Sequence, residues 1–353
     1  MLELKDISVS FPQFSLQDIN LQVEDGDYFT ILGVSGAGKT LLLEIIAGLI
    51  KPSNGQILFK GEDISKKSIQ DRKIGLVYQD LSLFPHMKVS QNILYPLKNK
   101  KLTKAEKQKL LIKLAGHMEI SHLLDRYPGT LSGGEAQRTA LARTLASDPD
   151  VLLLDEPLAN LDIKLKSDIR QLLKKINKSG KTIIHVTHDY TEAATLSNKI
   201  AVIENGVLLQ TGSPDEVFRY PKNEFVARFS GYRNLFPAVF ENPDSKDGLN
   251  KATVSGDFHI NFLGNVDYKK GFVIIPEQDI ILSTSKLETS AINQFYGKVS
   301  DYYSLDFGTE VIIDAGIDIS VKISNESFHN LKIEKGKNIW INFKASAVRV
   351  LKA

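Results

Sequence analysis

The stretch GVSGAGKT, from Gly33 to Thr40, decides the fold of this chain. It matches the pattern G-x-x-x-x-G-K-[ST], in which glycines let backbone N–H groups turn towards phosphate oxygens. Lys39 adds a positive charge there, and the hydroxyl of Thr40 can bind Mg²⁺. The apolar run Phe29–Leu32 precedes the loop as a strand, and the helix-forming stretch TLLLEIIAGL follows it. This context predicts a strand–loop–helix unit that binds phosphate at a helix N-terminus, rather than a plain glycine turn.

Two carboxylates follow a second apolar run, in VLLLDEP. Four apolar residues predict a buried strand with Asp155 and Glu156 at its carboxyl end, where ligands bind in open α/β sheets. Asp155 is placed to hold Mg²⁺, and Glu156 is placed to polarise an attacking water as a general base. The alternative is that both acids only cap the next element.

Two further polar residues stand after apolar runs. His188 follows TIIHVT and is a candidate donor or acceptor for the γ-phosphate and the attacking water. Gln79 follows GLVY, and an amide at that position can reach a metal ion or the water. A plain loop glutamine explains the spacing of Gln79 equally well.

The rest of the chain divides into two parts. Apolar strands alternate with helices up to about Ser230, which predicts a parallel sheet covered on both faces and hence an α/β fold. Within this part, a helical subdomain is expected at about 88–150. From Gly231 to Ala353, β-branched alternation predicts a second, all-β domain, a small barrel. The expected domains are therefore 1–230 and 231–353.

Composition removes several classes of function. The net charge of +2 is too small to argue for nucleic-acid binding, and the absence of cysteine excludes disulfides and thiolate metal sites. No stretch approaches the roughly 18 uncharged apolar residues of a membrane span. Any work at a membrane is expected to need a separate membrane subunit.

The order of GVSGAGKT, Gln79, LSGGE, VLLLDEP, NLD and His188 resembles the ATP-binding cassette (ABC) ATPases over about residues 1–230. LSGGE between the glycine loop and the DE strand is peculiar to that family. The resemblance implies ATP and Mg²⁺ as cofactors, a catalytic Glu156 assisted by His188 and Gln79, and metal ligation by Thr40, Gln79 and Asp155. It implies nucleotide binding by Phe11, Gly33, Ser35, Gly36, Ala37, Gly38, Lys39, Thr40, Ser132, Gly133, Gly134 and Asp162.

Three positions qualify this resemblance. Phe11 is assigned as the aromatic that stacks on adenine, although Phe14 is close by. Val34 replaces a common proline, and ANLD, ending at Asp162, replaces the usual SALD. Neither departure removes a group that the chemistry needs.

The segment LSGGE has two interpretations. Ser132 and Glu135 form S-x-x-E, a capping box that satisfies orphan N–H groups at a helix start. The resemblance adds that this helix start faces the γ-phosphate of ATP held by a second copy, with Gly133 and Gly134 allowing close approach. It therefore implies a head-to-tail homodimer that encloses two nucleotides.

The resemblance also implies a transport complex. Leu83, Phe84 and Met87, near Pro85, are the candidate contact with an integral membrane permease; local packing explains them equally well. An extracytoplasmic substrate-binding protein is expected to act through the permease. The chain itself is expected to be peripheral, at the cytoplasmic face of the membrane.

The segments TSAINQFYGKV and FKASAV resemble the molybdate-binding β module, in which Ser290, Lys344 and Ser346 match oxyanion-holding positions. Hydroxyls and one lysine suit a tetrahedral dianion, but Ile292 stands where an arginine is usual. A β module that only dimerises the protein is the alternative.

The expected function is the ATPase of a molybdate or tungstate importer, with a regulatory oxyanion. Sulfate, iron, polyamine or sugar remain alternative cargoes. A cytosolic oxyanion-binding protein is disfavoured, because storage needs no GKT, DE and His188.

Overall fold

The computed structural model describes residues 1–241, 248–256 and 258–352. The chain forms two compact units, Met1–Val217 and Phe218–Ala353. In the described residues, no helix combines the length and the apolar character that crossing a membrane requires.

The first unit alternates strands and helices along the chain. Its strands are β1 (Leu2–Phe11), β2 (Phe14–Val23), β3 (Tyr28–Leu32), β4 (Asn54–Phe59), β5 (Glu62–Asp63), β6 (Ile74–Val77), β7 (Val151–Asp155), β8 (Thr182–Thr187), β9 (Lys199–Glu204) and β10 (Val207–Gly212). Its helices are α1 (Lys39–Ala47), α2 (Val89–Leu94), α3 (Lys104–His117), α4 (Gly133–Ala146), α5 (Ile163–Lys178) and α6 (Tyr190–Leu196), with α7 (Pro214–Arg219) at the boundary between the units.

The central sheet has the strand order β10-β9-β3-β8-β7-β6. Strands β9, β3, β8, β7 and β6 run parallel, and β10 pairs antiparallel with β9. Every residue of β3, β7 and β8 is buried, because helices and the second sheet cover both faces. In register, Leu32 lies opposite Thr187, and Asp155 lies opposite Val186. The loops after β3, β7 and β8 therefore leave the same edge of the sheet.

An antiparallel sheet, β2-β1-β4-β5, lies over α1. In its first two strands, Ile7, Val9 and Ile19 are buried, whereas Phe11 is 44% exposed. These buried side chains share one apolar core with α1 and the inner face of the central sheet. Burial on both sides fixes α1, and with it the loop at its N-terminus.

A helical region interrupts the central sheet between β6 and β7. Helices α2, α3 and α4 pack on each other through apolar side chains such as Ile93, Leu114 and Leu141. It begins with α2 and ends with α4, inside the predicted range of about 88–150.

The described part of the second unit is dominated by β-strands. Its elements are α8 (Glu224–Phe229), β11 (Leu235–Glu241), β12 (Leu249–Ser255), β13 (Phe258–Leu263), β14 (Lys270–Ile274), β15 (Ile281–Ser283), β16 (Asn293–Leu305), β17 (Gly308–Asp314), β18 (Asp318–Ile323), α9 (Asn325–Asn330), β19 (Asn338–Phe343) and β20 (Arg349–Lys352). Two antiparallel sheets, β13-β12-β11-β14-β20 and β15-β19-β16-β17-β18, share one apolar core.

The unit boundary lies earlier than the position after residue 230 that the strand pattern predicts. The reason is α8, whose Ala227 is buried together with Leu235, Ile274 and Leu351 of the β-rich unit. A helix lacks the alternating pattern of a β-strand, so the sequence does not show that α8 packs with the β-rich unit.

Candidate functional site

The loop after β3 has the geometry of an anion cradle. Gly36 and Gly38 have φ values of 82° and 99°, where side chains are disfavoured. Ser35 is exposed at the tip of the loop, whereas Ala37 is buried and its carbonyl oxygen accepts from Gly206 N at 3.1 Å. No described side chain caps the start of α1, so its first-turn N–H groups are available to an anion. A Cβ on Gly33 would lie 2.3 Å from the carbonyl oxygen of Ile203, which requires glycine there.

Lys39 is the first residue of α1, directly after this loop, and is only 5% exposed. Its Nζ donates to the carbonyl oxygens of Gly33 at 2.9 Å and Val34 at 3.0 Å. Burial lowers the pKa of Lys39, and the carboxylates of Glu156 and Asp155 oppose that shift. The ammonium group is thus held at the anion cradle, with its charge supported by two acids.

Thr40 and Asp155 place a hydroxyl and a carboxylate side by side. The Thr40 hydroxyl lies 3.1 Å from each carboxylate oxygen of Asp155. Burial raises the pKa of Asp155, while the hydrogen bond from Thr40 and the charge of Lys39 lower it. A hydroxyl and a carboxylate side by side are hard oxygen donors, which fit Mg²⁺.

Three predicted catalytic residues meet in one cavity of about 210 Å³, because Gln79, Glu156 and His188 all line it. His188 Nδ1 lies 3.1 Å from Glu156 Oε1, and Lys39 Nζ lies 3.9 Å from the same oxygen. Glu156 has φ 42°, a left-handed conformation that is strained for a residue with a side chain. Such strain concentrates at functional sites. A carboxylate here can accept a proton from a water in the cavity.

The start of α4 forms the predicted capping box. Ser132 Oγ accepts from Glu135 N at 3.4 Å, and Glu135 Oε2 accepts from Ser132 N at 2.8 Å. A Cβ on Gly134 would lie 2.8 Å from Leu165 Cδ2, so packing within the chain already explains that glycine. Ser132 and Gly133 are exposed and do not line the Glu156 cavity. Their exposure leaves the start of α4 accessible to solvent.

Asp162 has a local structural role that its sequence motif does not reveal. It is the N-cap of α5, and its Oδ1 accepts from Leu165 N at 2.9 Å. The next residue, Ile163, is 90% exposed. Asp162 is not among the residues that line the Glu156 cavity.

The two candidate aromatics face each other across the β1–β2 turn. Phe11 is largely exposed, so its ring is free to stack on a ligand. Phe14 packs on the glycine loop instead, because a Cβ on Gly38 would lie 2.7 Å from Phe14 Cζ. Phe11 stays the predicted adenine contact, and Phe14 supports the loop.

The candidate permease contact is well packed within its own unit. The Phe84 ring lies 4.3 Å from the Tyr95 ring and 5.4 Å from the guanidinium of Arg143. The side chain of Asn92 binds the backbone N–H and carbonyl of Phe84 and the carbonyl of Met87. Local packing therefore accounts for part of this sequence pattern.

A cavity of about 330 Å³ lies in the β-rich unit. Lys344 and Ser346 line it, but Ser290 does not, and Ile292 is 46% exposed. Asp279 and the fully buried Asn342 also line it, and Asn342 Oδ1 has no partner among the described residues. The structure thus brings together two of the three predicted oxyanion residues.

Sequence reasoning missed the two buried polar residues among those that line the Glu156 cavity. Thr187 and Glu192 line it beside His188, and both are buried. A threonine before the histidine and a glutamate four residues after it are the available signal. Threonine and glutamate at this spacing are common where helices begin, so one sequence alone does not mark Thr187 and Glu192 as site residues.

Comparison with known proteins agrees with this geometry. The ABC transporter family matches residues 16–159, and the TOBE domain family matches residues 289–350. The chain is 39% identical over 352 residues to the molybdate/tungstate import ATP-binding protein of Pyrococcus horikoshii, across 99% of each chain. It is 36% identical over 332 residues to the spermidine/putrescine import ATP-binding protein of Nitrosomonas europaea, across 93% of this chain and 92% of that one.

A solved structure extends the comparison. A dimeric ATP-binding cassette in a post-hydrolysis state, bound to ADP and Pi, is 30% identical with a TM-score of 0.55; the likeness covers 61% of this chain and 99% of that chain. The resemblance inferred from the motifs is confirmed, and so are the α/β cassette fold and the β-rich second domain. The chain belongs to the ABC transporter family, as one of its ATP-hydrolysing ATP-binding proteins with a C-terminal TOBE domain.

Proposed function

We propose that this ATPase energises the import of molybdate or tungstate through a separate membrane permease. The observation that carries the cargo is the 39% identity to the Pyrococcus horikoshii protein, which extends over 99% of both chains and so includes the β-rich unit. The spermidine/putrescine relative also extends into this unit but is less similar, at 36% identity over 93% of this chain.

In this proposal, residues of the first unit have separate roles in ATP binding and hydrolysis. Lys39 and the first turn of α1 bind the ATP phosphates, and Phe11 stacks on adenine. Glu156 takes a proton from the attacking water, while His188 orients that water and the γ-phosphate. Thr40, Asp155 and Gln79 would hold Mg²⁺. When bound, that ion neutralises charge that develops on the phosphate oxygens.

Two copies of the chain complete the proposed site. Ser132 and Gly133 are exposed at the start of α4 and face the ATP of the second copy. The loop of Leu83, Phe84 and Met87 meets the permease. A substrate-binding protein delivers the anion from outside, and the ATPase stays peripheral at the cytoplasmic face of the membrane.

The β-rich unit is proposed to sense the internal oxyanion through Lys344 and Ser346. Asp279 adds a carboxylate to the same cavity and Ile292 supplies no charge, so weak binding is expected. Calorimetry of the full chain with tungstate, molybdate and sulfate tests this role. The role is supported if the heat of anion binding is lost in Lys344→Ala. It is contradicted if none of the three anions gives a heat of binding to the wild type.

Uptake measurements test the cargo itself. The gene is deleted in its host, and uptake of labelled molybdate, tungstate, sulfate and spermidine is measured after complementation. Wild type is expected to restore molybdate and tungstate uptake, and Glu156→Gln is expected to fail. Restoration of spermidine or sulfate uptake instead would reassign the cargo while leaving the ATPase intact.

A further inference from the structure

A buried chain of polar side chains lies beneath the loop that carries His188. Tyr28 of β3, His185 of β8 and Glu192 of α6 are 2%, 0% and 3% exposed. Tyr28 Oη lies 3.0 Å from His185 Nδ1, and His185 Nε2 lies 3.4 Å from Glu192 Oε2. Thr187 Oγ1 donates to the same carboxylate oxygen at 2.8 Å. Side chains of β3, β8 and α6 thus form one buried polar cluster that includes the Glu192 carboxylate.

The donors and acceptors of this chain fit a single arrangement. Burial and the Glu192 carboxylate raise the pKa of Tyr28 well above its usual range, so its hydroxyl keeps the proton and donates to His185. That leaves Nε2–H of His185 facing the Glu192 carboxylate at 3.4 Å, close enough for charge attraction but without hydrogen-bond geometry. Thr187 donates to Glu192 and accepts from the backbone N–H of Asp189 at 3.0 Å. Asp189 in turn caps α6.

Packing alone gives no reason for such a chain. A buried carboxylate with buried polar neighbours costs more than well-packed apolar side chains of the same volume. The buried Glu192 carboxylate lies next to the proposed site of hydrolysis, because Thr187 and Glu192 line the cavity that Glu156 also lines. The His188 side chain is itself 56% exposed and bonds to Glu156 at 3.1 Å. Its ring is therefore placed mainly by the backbone on either side of it.

We propose that Thr187 and Glu192, supported by His185 and Tyr28, are positioning residues for ATP hydrolysis. They hold the 187–189 backbone so that the His188 ring stays against Glu156. None of the four touches the nucleotide in this proposal, which rests on the proposed role of His188. A displacement of about 1 Å at a reacting group can cost up to about 100-fold in rate, so a small loosening of this loop has a measurable effect.

Steady-state ATPase kinetics of full-length Thr187 variants test the proposal. Thr187→Val keeps the shape and removes the hydroxyl, whereas Thr187→Ser keeps the hydroxyl. We expect Thr187→Val to lower kcat about tenfold, with KM for ATP within about twofold, because the loss concerns orientation in the transition state rather than binding. Thr187→Ser should stay within about twofold of wild type. Glu192→Leu should resemble Thr187→Val, since it removes the oxygen that accepts from Thr187.

Thr30→Val is the matched control. Thr30 is equally buried and its hydroxyl bonds Ser197, just beyond the other end of α6, so kcat should not change. The proposal is overturned if Thr187→Val keeps the wild-type kcat, if Thr187→Ser loses as much, or if KM rises as far as kcat falls. Wild type and Glu156→Gln run in the same assay. Equal rates for those two would defeat the proposed catalytic base, independently of the Thr187 result.

Discussion

Asp155, the proposed Mg²⁺ ligand, is a residue whose charge destabilises the folded chain. Burial raises the pKa of its carboxyl, so the nucleotide-free folded chain holds that proton to higher pH than the unfolded chain does. Ionising Asp155 therefore costs stability. The cost is absent below the unfolded pKa of about 3.9, grows as pH rises through the raised folded pKa, and is complete at neutral pH.

Asp155→Asn should consequently stabilise the nucleotide-free chain at pH 8 and not at pH 4. A rise in Tm of about 2–4 °C is the scale expected for 1 kcal/mol in a unit of this size. Differential scanning fluorimetry across that pH range measures it. Asp148→Asn is the control of opposite sign, because a hydrogen bond from Lys181 lowers the pKa of Asp148. A stabilisation by Asp155→Asn that persists undiminished at pH 4 would contradict the argument.

Phe11 and Phe14 separate ligand binding from support of the loop. Phe11→Ala should weaken ATP binding by roughly 5-fold or more, since stacking on a base is worth about 1–3 kcal/mol. Phe14→Ala should instead lower Tm, because the ring fills space against Gly38. Fluorescence titration with a nucleotide analogue and thermal unfolding distinguish them. Normal nucleotide affinity in Phe11→Ala would show that the assignment of the adenine contact is wrong.

Among the elements, α1 depends on a contact at its C-terminal end. Gly48 ends the helix with φ 88°, and a Cβ there would lie 2.5 Å from Arg72 Nε. Arg72 is 2% exposed, and its guanidinium donates to the carbonyl oxygens of Ile45 and Ile46 at 2.9 Å. Held in this way, the guanidinium cannot move aside. A helix whose N-terminus forms the anion cradle is thus fixed from its far end.

Gly48→Ala should therefore destabilise the first unit more than Gly180→Ala does. Gly180 follows α5 with φ 94°, and a Cβ added there would meet no described heavy atom within 4 Å, so only left-handed strain of about 1–2 kcal/mol applies. At Gly48 the clash adds about 1–3 kcal/mol. Urea unfolding midpoints compare the two variants. Equal losses would mean that Arg72 moves freely.

The start of α4 tests whether LSGGE is more than a helix cap. Ser132→Asp should leave Tm nearly unchanged, because aspartate is as good an N-cap as serine and suits the helix dipole. If Ser132 faces the γ-phosphate of a second copy, the added carboxylate repels that phosphate. The ATPase rate should then fall more than about tenfold, as measured by phosphate release. A stable, fully active Ser132→Asp protein would leave only the capping role.

Sequence patterns predicted some elements and missed others for physical reasons. The positions of Asp155 at the end of β7 and of His188 directly after β8 could be predicted, because short apolar runs mark both strands. The packing of α8 on the β-rich unit and the burial of Glu192 could not, because each depends on partners that sequence patterns do not show. The side-chain roles in hydrolysis stay predictions, although the structure brings Gln79, Glu156 and His188 to one cavity.

For the whole molecule, the proposed function implies that one chain carries halves of two different ATP sites. The loop at Lys39 and the exposed start of α4 are both suited to phosphate, but Ser132 and Gly133 do not line the cavity beside Lys39 and Glu156. In two copies arranged head to tail, the loop of each copy and the start of α4 of the other would both contact the same ATP. Two enclosed nucleotides would then hold the copies together, so the pair should last only while ATP is intact.

Glu156→Gln should therefore form a stable pair of chains with ATP and Mg²⁺, because it binds the nucleotide but hydrolyses it slowly. Multi-angle light scattering should report twice the 39.3 kDa of one chain. Wild type under the same conditions should return to one chain as ATP is consumed. Adding Ser132→Asp to Glu156→Gln should keep the protein monomeric, since the new carboxylate faces the partner's nucleotide across the interface. A Glu156→Gln protein that stays at 39.3 kDa in excess ATP and Mg²⁺ would show that the nucleotide alone does not join two copies.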